Sequence, residues 1–209
     1  MRGFLKKEVG ALKEFYVNSL RTTFENCAVV FVLIFALCLV MGFLRVEETS
    51  SVVETFIEGV SELGVVDEDG SISASGLFMN NVLAAAWSVL YGFLPFIFLP
   101  ALPLGYNAYI LGSFGAYYVS AGLSPLSFAA GILPHGIFEL TALVFACALG
   151  IRLCNELTRL IFAKPCERPF SQTVRATLHA YLLVCVPLMG LAAVIETYVT
   201  PYVMALTMQ

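Results

Sequence analysis

Long blocks of apolar residues, separated by short polar segments, dominate this sequence. Each block is close to the roughly 20 residues that an α-helix needs to cross about 30 Å of hydrocarbon. The blocks cover residues 27–44, 77–98, 103–121, 126–150 and 178–199. This pattern predicts an all-α, polytopic membrane helix bundle in which five transmembrane helices form a single integral membrane domain spanning 1–209.

Only a short turn marked by Pro100 and Pro103 separates the second and third blocks. Because proline lacks a backbone donor and ends helices, we predict two full spans that meet at this turn. A re-entrant hairpin is the alternative, since non-helical backbone is tolerated at membrane depth where protein surrounds it.

The segment 1–26 precedes the first block and repeats apolar residues at helical spacing. These residues are Leu5, Val9, Leu12, Tyr16 and Leu20, with lysines elsewhere on the helix surface. We predict a cytoplasmic amphipathic helix that lies on the anionic inner leaflet. The alternative is a solvated helix that leads into the first span.

The segment 45–76, between the first two blocks, is strongly acidic. Its acidic residues are Glu47, Glu48, Glu54, Glu58, Glu62, Asp67, Glu68 and Asp69. Ser51 and Glu54 have the spacing of a helix capping box, and apolar residues recur at helical intervals after them. We predict an external, acidic amphipathic helix. Its carboxylates either attract cations or a basic partner, or form a solvated face.

Composition supports a membrane protein, because 59% of the residues are apolar and 12% are charged. In ordinary soluble domains about 45–50% of the residues are apolar and about 25% are charged. Between Ser71 and Ile151 the only charged residue is Glu139. A water-soluble globular enzyme and a nucleic-acid-binding protein are therefore not expected, and the lipid bilayer is the first predicted partner.

The basic residues predict the orientation of the chain, since Lys and Arg in short loops stay on the cytoplasmic side. They concentrate before the first span and in the segment 151–177, which we predict to be a basic cytoplasmic loop. The N-terminus of this multi-pass cell-membrane protein is then cytoplasmic and the C-terminus external. The six cysteines avoid the predicted external segment, so we expect free thiols.

The polar residues within the predicted spans are the candidate site. His135 and Glu139 are four residues apart, so they share one helix face, and Glu196 lies near the outer end of the fifth span. The candidate intramembrane polar or ion site comprises His135, Glu139, Glu196, Asn80, Asn81 and Asn107. Stripes of small residues on the second, third and fourth spans predict close helix packing around it.

Catalysis is not predicted for these residues. One H-x-x-x-E offers two metal ligands where a catalytic zinc needs three from the protein, and the H-E-x-x-H motif of metalloproteases is missing from the sequence. We therefore expect no enzyme, no metal and no cofactor. The cluster is either a hydrogen-bonded core that fixes helix register or a proton or ion site.

Several short motifs together resemble the stage II sporulation protein M family of integral membrane proteins. They are Phe24–Cys27, Asn80–Asn81, Asn107, Gly112, Leu133–Leu140 (L-P-H-G-I-F-E-L) and Ala192–Glu196 (A-A-V-I-E). One departure is Ala108, where the family pattern has glycine, which puts in doubt any role that needs a tight backbone turn there.

The resemblance implies a small bundle of about five spans that acts through partners. Members in endospore formers act with other membrane and wall-degrading proteins during engulfment, and similar proteins occur in organisms that make no spores. Our first hypothesis is a non-enzymatic scaffold for envelope-associated membrane proteins, forming a homo-oligomer through its small-residue stripes. The alternative is a small ion- or proton-coupled transport or channel unit that uses His135, Glu139 and Glu196.

Overall fold

The computed structural model describes residues 10, 12–62, 73–164 and 169–207. These residues form helices, with no strand among them, which confirms the predicted all-α class. The helices are α1 (Leu12–Leu44, with a π-helical turn at Tyr16–Leu20), α2 (Val46–Glu62), α3 (Ala74–Leu90, extended by a 3₁₀ turn at Tyr91–Phe93), α4 (Ala101–Ser120), α5 (Pro125–Ile161), α6 (Phe170–Tyr198, with a π-helical turn at Tyr181–Cys185) and α7 (Thr200–Ala205).

Four helices in the described part of the chain are long and apolar enough to cross a membrane: α1, α3 with its 3₁₀ turn, α5 and α6. Helix α4, which covers most of the predicted third span, has 20 residues and is about 30 Å long, but it is not one of these four. Its glycines, serines, tyrosines and Asn107 lower its hydropathy. Five spans therefore remain a prediction.

Helix α5 is the central element of the bundle and is longer than the sequence suggested. It has 37 residues and continues without interruption from Pro125 to Ile161. The predicted fourth span ends at Gly150 and the predicted basic loop covers 151–177, yet α5 runs eleven residues past Gly150 and α6 begins at Phe170. The charged residues after Gly150 mark a change from apolar to polar surroundings, which does not by itself end a helix.

Small residues allow the helices to approach closely, as the stripes predicted. A Cβ atom added at Gly150 would overlap the carbonyl oxygen of Ser88 and lie 2.8 Å from the Cβ of Pro100. One added at Gly112 would lie 2.7 Å from the carbonyl oxygen of Phe35 on α1. Helices α3 and α4 are thus held against α5 and α1 at backbone distance.

Helix α1 starts well before the first predicted span, and its early turns pack on the bundle. Phe15 and Leu20 are buried, and the ring of Tyr16 stacks at 6.2 Å from that of Phe145 on α5. The later turns of the same helix, from Val29 to Val40, have a largely exposed apolar surface. Its exposed residues include Val29, Val30, Val32, Leu33, Leu37 and Val40.

The acidic segment forms helix α2, in agreement with the predicted amphipathic helix. Val53 on its apolar face is 1% exposed, and the ring of Phe56 meets that of Phe114 on α4 edge-on at 5.5 Å. Glu54 and Glu58 on the other face are exposed. The part of the acidic segment from 63 to 72 lies outside the described residues.

Candidate functional site

The candidate site begins with His135, which α5 places ten residues after its first residue, or about 15 Å along the helix. The side chain is buried, with 7% of the residue exposed. Although Pro134 precedes it and removes one backbone donor, the helix continues through this position. The imidazole therefore projects from a regular helix into the bundle.

Two carboxylates face this imidazole. Glu139 follows one turn later on α5, and Glu196 comes from the last turn of α6. One ligand atom from each of the three side chains lies within 4.8 Å of the other two. His135 Nε2 is 3.8 Å from Glu196 Oε2, a distance longer than a direct N–H···O hydrogen bond.

The carboxylates of the cluster are partly exposed at the protein surface. The Glu196 side chain is 22% exposed and Glu139 is half-buried, whereas His135 is nearly inaccessible. The carboxylates thus form the accessible side of the cluster and the imidazole its inner wall. We refer to His135, Glu139 and Glu196 as the polar triad.

Thr200 completes the surroundings of His135 and was not identified from the sequence. Its Oγ1 lies 3.2 Å from His135 Nδ1 and donates a hydrogen bond to the carbonyl oxygen of Ile195 at 3.3 Å. The chain turns between α6 and α7 at this point, where Pro201 has no backbone N–H to continue the helix. A Thr-Pro pair directly after the fifth apolar block is the signal that would have indicated it.

The three asparagines of the predicted site are placed differently. Asn80 Nδ2 donates to Asn81 Oδ1 at 3.5 Å on α3, and Asn107 Nδ2 donates to the carbonyl oxygen of Pro103, four residues earlier on α4. These bonds are local to their own helices. The structure therefore brings together the three ionisable members of the predicted site and leaves the asparagines in separate hydrogen bonds.

A second polar feature, also missed from the sequence, lies near the other end of α5. Arg152 and Glu156 form an ion pair with an N–O distance of 3.3 Å, and both side chains are buried, at 11% and 6% exposure. Arg152 Nη1 also donates to the carbonyl oxygen of Ser19 on α1 at 2.9 Å. The sequence placed Arg152 in a loop, although its spacing of four residues from Glu156 fits one helix face.

The described cysteines agree with the expectation of free thiols. Cys27, Cys38, Cys147, Cys154 and Cys185 are all unbridged, and Cys166 lies outside the described residues. The Sγ atoms of Cys27 and Cys147 are 3.7 Å apart in the interface between α1 and α5. They pack there as small, buried side chains.

Apolar helices of membrane-spanning length, packed through glycine and surrounding a polar triad, define an α-helical integral membrane protein. The chain belongs to the stage II sporulation protein M family, whose sequence model matches residues 30–201. This match includes the whole polar triad and Thr200. Ala108, the departure noted from the family pattern, is completely buried in α4.

A relative in Methanocaldococcus jannaschii is similar to this chain over most of its length. The two sequences are 27% identical over 175 residues, which is 81% of this chain and 90% of the relative. That relative is described as an uncharacterized protein. No solved structure matches the chain significantly.

Proposed function

We propose that this membrane protein is a non-enzymatic assembly component that organises envelope-associated membrane proteins. It is anchored by its helix bundle and engages partners through helix α2. The family to which it belongs is named for a stage of sporulation, a process that remodels the cell envelope, and this supports a role exercised with other envelope proteins.

The observation that carries the proposal is the way α2 is held. Its apolar face is fixed to α4 by the buried Val53 and by the Phe56–Phe114 ring contact, so the helix is part of the bundle. Its carboxylates at Glu54 and Glu58 point away from the bundle. Carboxylates held in fixed positions on one face of a helix favour a partner with a basic surface.

The orientation that accompanies this proposal has the N-terminus in the cytoplasm and the C-terminus outside. When α4 is added to the other four spans, both basic regions lie on the inner side and α2 on the outer side. The partner of α2 is then an external domain or loop of a membrane or envelope protein.

A photo-crosslinking residue at Thr55 tests this interaction in living cells, because Thr55 is exposed between Glu54 and Glu58. We expect a defined crosslinked protein that is lost when both glutamates are replaced by lysine and weakened when both are replaced by glutamine. The same probe at Leu123, exposed in the turn between α4 and α5, is the matched control. Raised salt should weaken the Thr55 crosslink, because exposed charges are screened.

A crosslink that survives the double lysine replacement would contradict the proposal, and so would crosslinking to lipid alone. Transport is the competing outcome. Proton- or cation-dependent flux into vesicles containing the purified protein, abolished by Glu139→Gln, would replace the assembly role by a transport role.

The predicted homo-oligomer needs a different surface from the one first considered. The small-residue stripes are used for packing within the chain, as Gly112 of α4 against α1 and Gly150 of α5 against α3 illustrate. We propose that copies associate through the exposed apolar face of α1, around Leu33 and Leu37. Native mass spectrometry from lipid discs should then show an oligomer that Leu37→Trp disrupts.

A further inference from the structure

We propose that the polar triad, His135, Glu139 and Glu196, binds one divalent transition-metal cation. This property is independent of the assembly function proposed above. It differs from the expectation drawn from the sequence, in which H-x-x-x-E supplied two ligands. The structure adds Glu196 from α6 as the third.

The hydrogen bonds of His135 prepare its Nε2 atom to act as a ligand. The single hydroxyl hydrogen of Thr200 is donated to the carbonyl oxygen of Ile195, so Thr200 Oγ1 accepts a hydrogen bond from His135 Nδ1–H. A neutral imidazole then has its lone pair on Nε2, which is the atom that faces Glu196. Partners that fix the tautomer in this way are typical of histidines that bind metals.

The distances within the triad fit a shared cation. Metal–nitrogen and metal–oxygen bonds of about 2.0–2.2 Å allow two ligand atoms on one metal to be up to about 4.2 Å apart. His135 Nε2 and Glu196 Oε2 lie 3.8 Å apart, within this limit. Binding a shared cation would require side-chain rotations that shorten the largest separation, which is no more than 4.8 Å, to about 4.2 Å or less.

The ligand types indicate the class of cation. One imidazole and two carboxylates suit zinc, iron(II), manganese(II) or cobalt(II), whereas calcium and magnesium prefer oxygen ligands alone. A divalent charge also balances two carboxylates that are close together in an apolar bundle. Glu139 and Glu196 are only partly buried, so the protein leaves one side of the proposed cation open to a further ligand.

Cobalt(II) is the probe for the test, because its visible spectrum reports ligand geometry and thiolate ligands add a charge-transfer band in the near ultraviolet. The full chain in lipid discs, stripped of metal, is titrated with cobalt(II) and then with zinc. We expect one cobalt per chain, no thiolate band, and displacement by zinc. Glu139→Gln and Glu196→Gln should each weaken binding at least tenfold.

Thr200→Val tests the positioning role of the threonine, since it keeps the shape of the side chain and removes the hydroxyl. We expect a loss of affinity of about tenfold to a hundredfold, as is typical when the partner of a ligating histidine is removed. Glu14→Gln, on the exposed surface of α1, is the matched control and should bind cobalt like the unmodified protein. Thermal unfolding of each variant without metal shows whether it has folded.

Several results would overturn the proposal. One is a thiolate band, which would place the metal at cysteines such as the Cys27–Cys147 pair. Others are titration without saturation, or equal affinity in the folded Glu139→Gln and Glu196→Gln variants. If a glutamine variant does not fold, the spectrum and stoichiometry of the unmodified protein decide the question. Because no partner protein is present, failure here leaves the crosslinking result at α2 unaffected.

Discussion

Single residues set the closest contacts of this protein, and Gly150 shows this most directly. It lies where α5 crosses the end of α3, and the carbonyl oxygen of Ser88 occupies the space that a side chain would need. Any Cβ atom at this position forces two helix backbones apart. Gly92 lies opposite, against the carbonyl oxygen of Gly150, so the crossing depends on glycine from both helices.

Gly150→Ala should therefore destabilise the bundle by about 1–3 kcal/mol, as overpacking in a tightly packed core does. The matched control is Gly59→Ala on α2, where an added Cβ atom meets nothing within 4 Å. That control should be neutral or slightly stabilising, because alanine favours helices. Denaturant unfolding in detergent measures both. Equal stability of the two variants would contradict the close contact.

The buried pair Arg152–Glu156 predicts a non-additive response to mutation. Arg152→Leu removes the positive partner of a carboxylate that is only 6% exposed, so we expect a loss of about 3–5 kcal/mol. Replacing both residues by leucine should cost less than the single change, because neither charge of the pair is then left buried without the other. The exposed pair Arg21–Glu25 is the control, where Arg21→Ala should cost under about 1 kcal/mol. Unfolding of the unmodified protein, Arg152→Leu, Glu156→Leu and the double variant side by side measures the coupling, and additive losses would contradict it.

At the residue scale, the sequence indicated part of the candidate site. Spacing placed His135 and Glu139 on one face, and the position of Glu196 near the outer end of the fifth span made it a candidate member of the same site. Thr200 could not be identified in this way, because its position depends on the turn between α6 and α7. The asparagines were included for their polarity, yet an amide within a helix can bond to its own backbone, as Asn107 does.

At the scale of elements, the apolar blocks predicted which segments are helical better than where the helices end. Hydropathy reports contact with lipid, and α5 continues past its apolar part because Arg152 and Glu156 fit a helix as well as a loop. The acidic helix α2 was predicted from its own apolar spacing, but it begins at Val46, so the predicted capping residues Ser51 and Glu54 lie inside it. Its attachment to α4 through Phe114 depends on tertiary packing, which the spacing of apolar residues within one helix does not predict.

At the scale of the whole molecule, the main prediction is the orientation of the chain in the membrane, with the N-terminus in the cytoplasm and α2 outside. Single cysteines at Ser75 and Ser171, in a variant without native cysteines, test it, since both positions are exposed. A membrane-impermeant thiol reagent added to intact cells should label the first position and not the second. The second should react only after the membrane is opened. Labelling of the second in intact cells would reverse the orientation and place α2 inside.

The uninterrupted course of α5 has a mechanical consequence. His135 and Arg152 are on the same helix, 17 residues or about 25 Å apart, and no break separates them. A helix is stiff over such a length. A tilt or rotation of α5 at His135 would therefore also move Arg152, which donates a hydrogen bond to Ser19 on α1. Cation binding at the polar triad and the attachment of α1 are therefore expected to be mechanically coupled through α5.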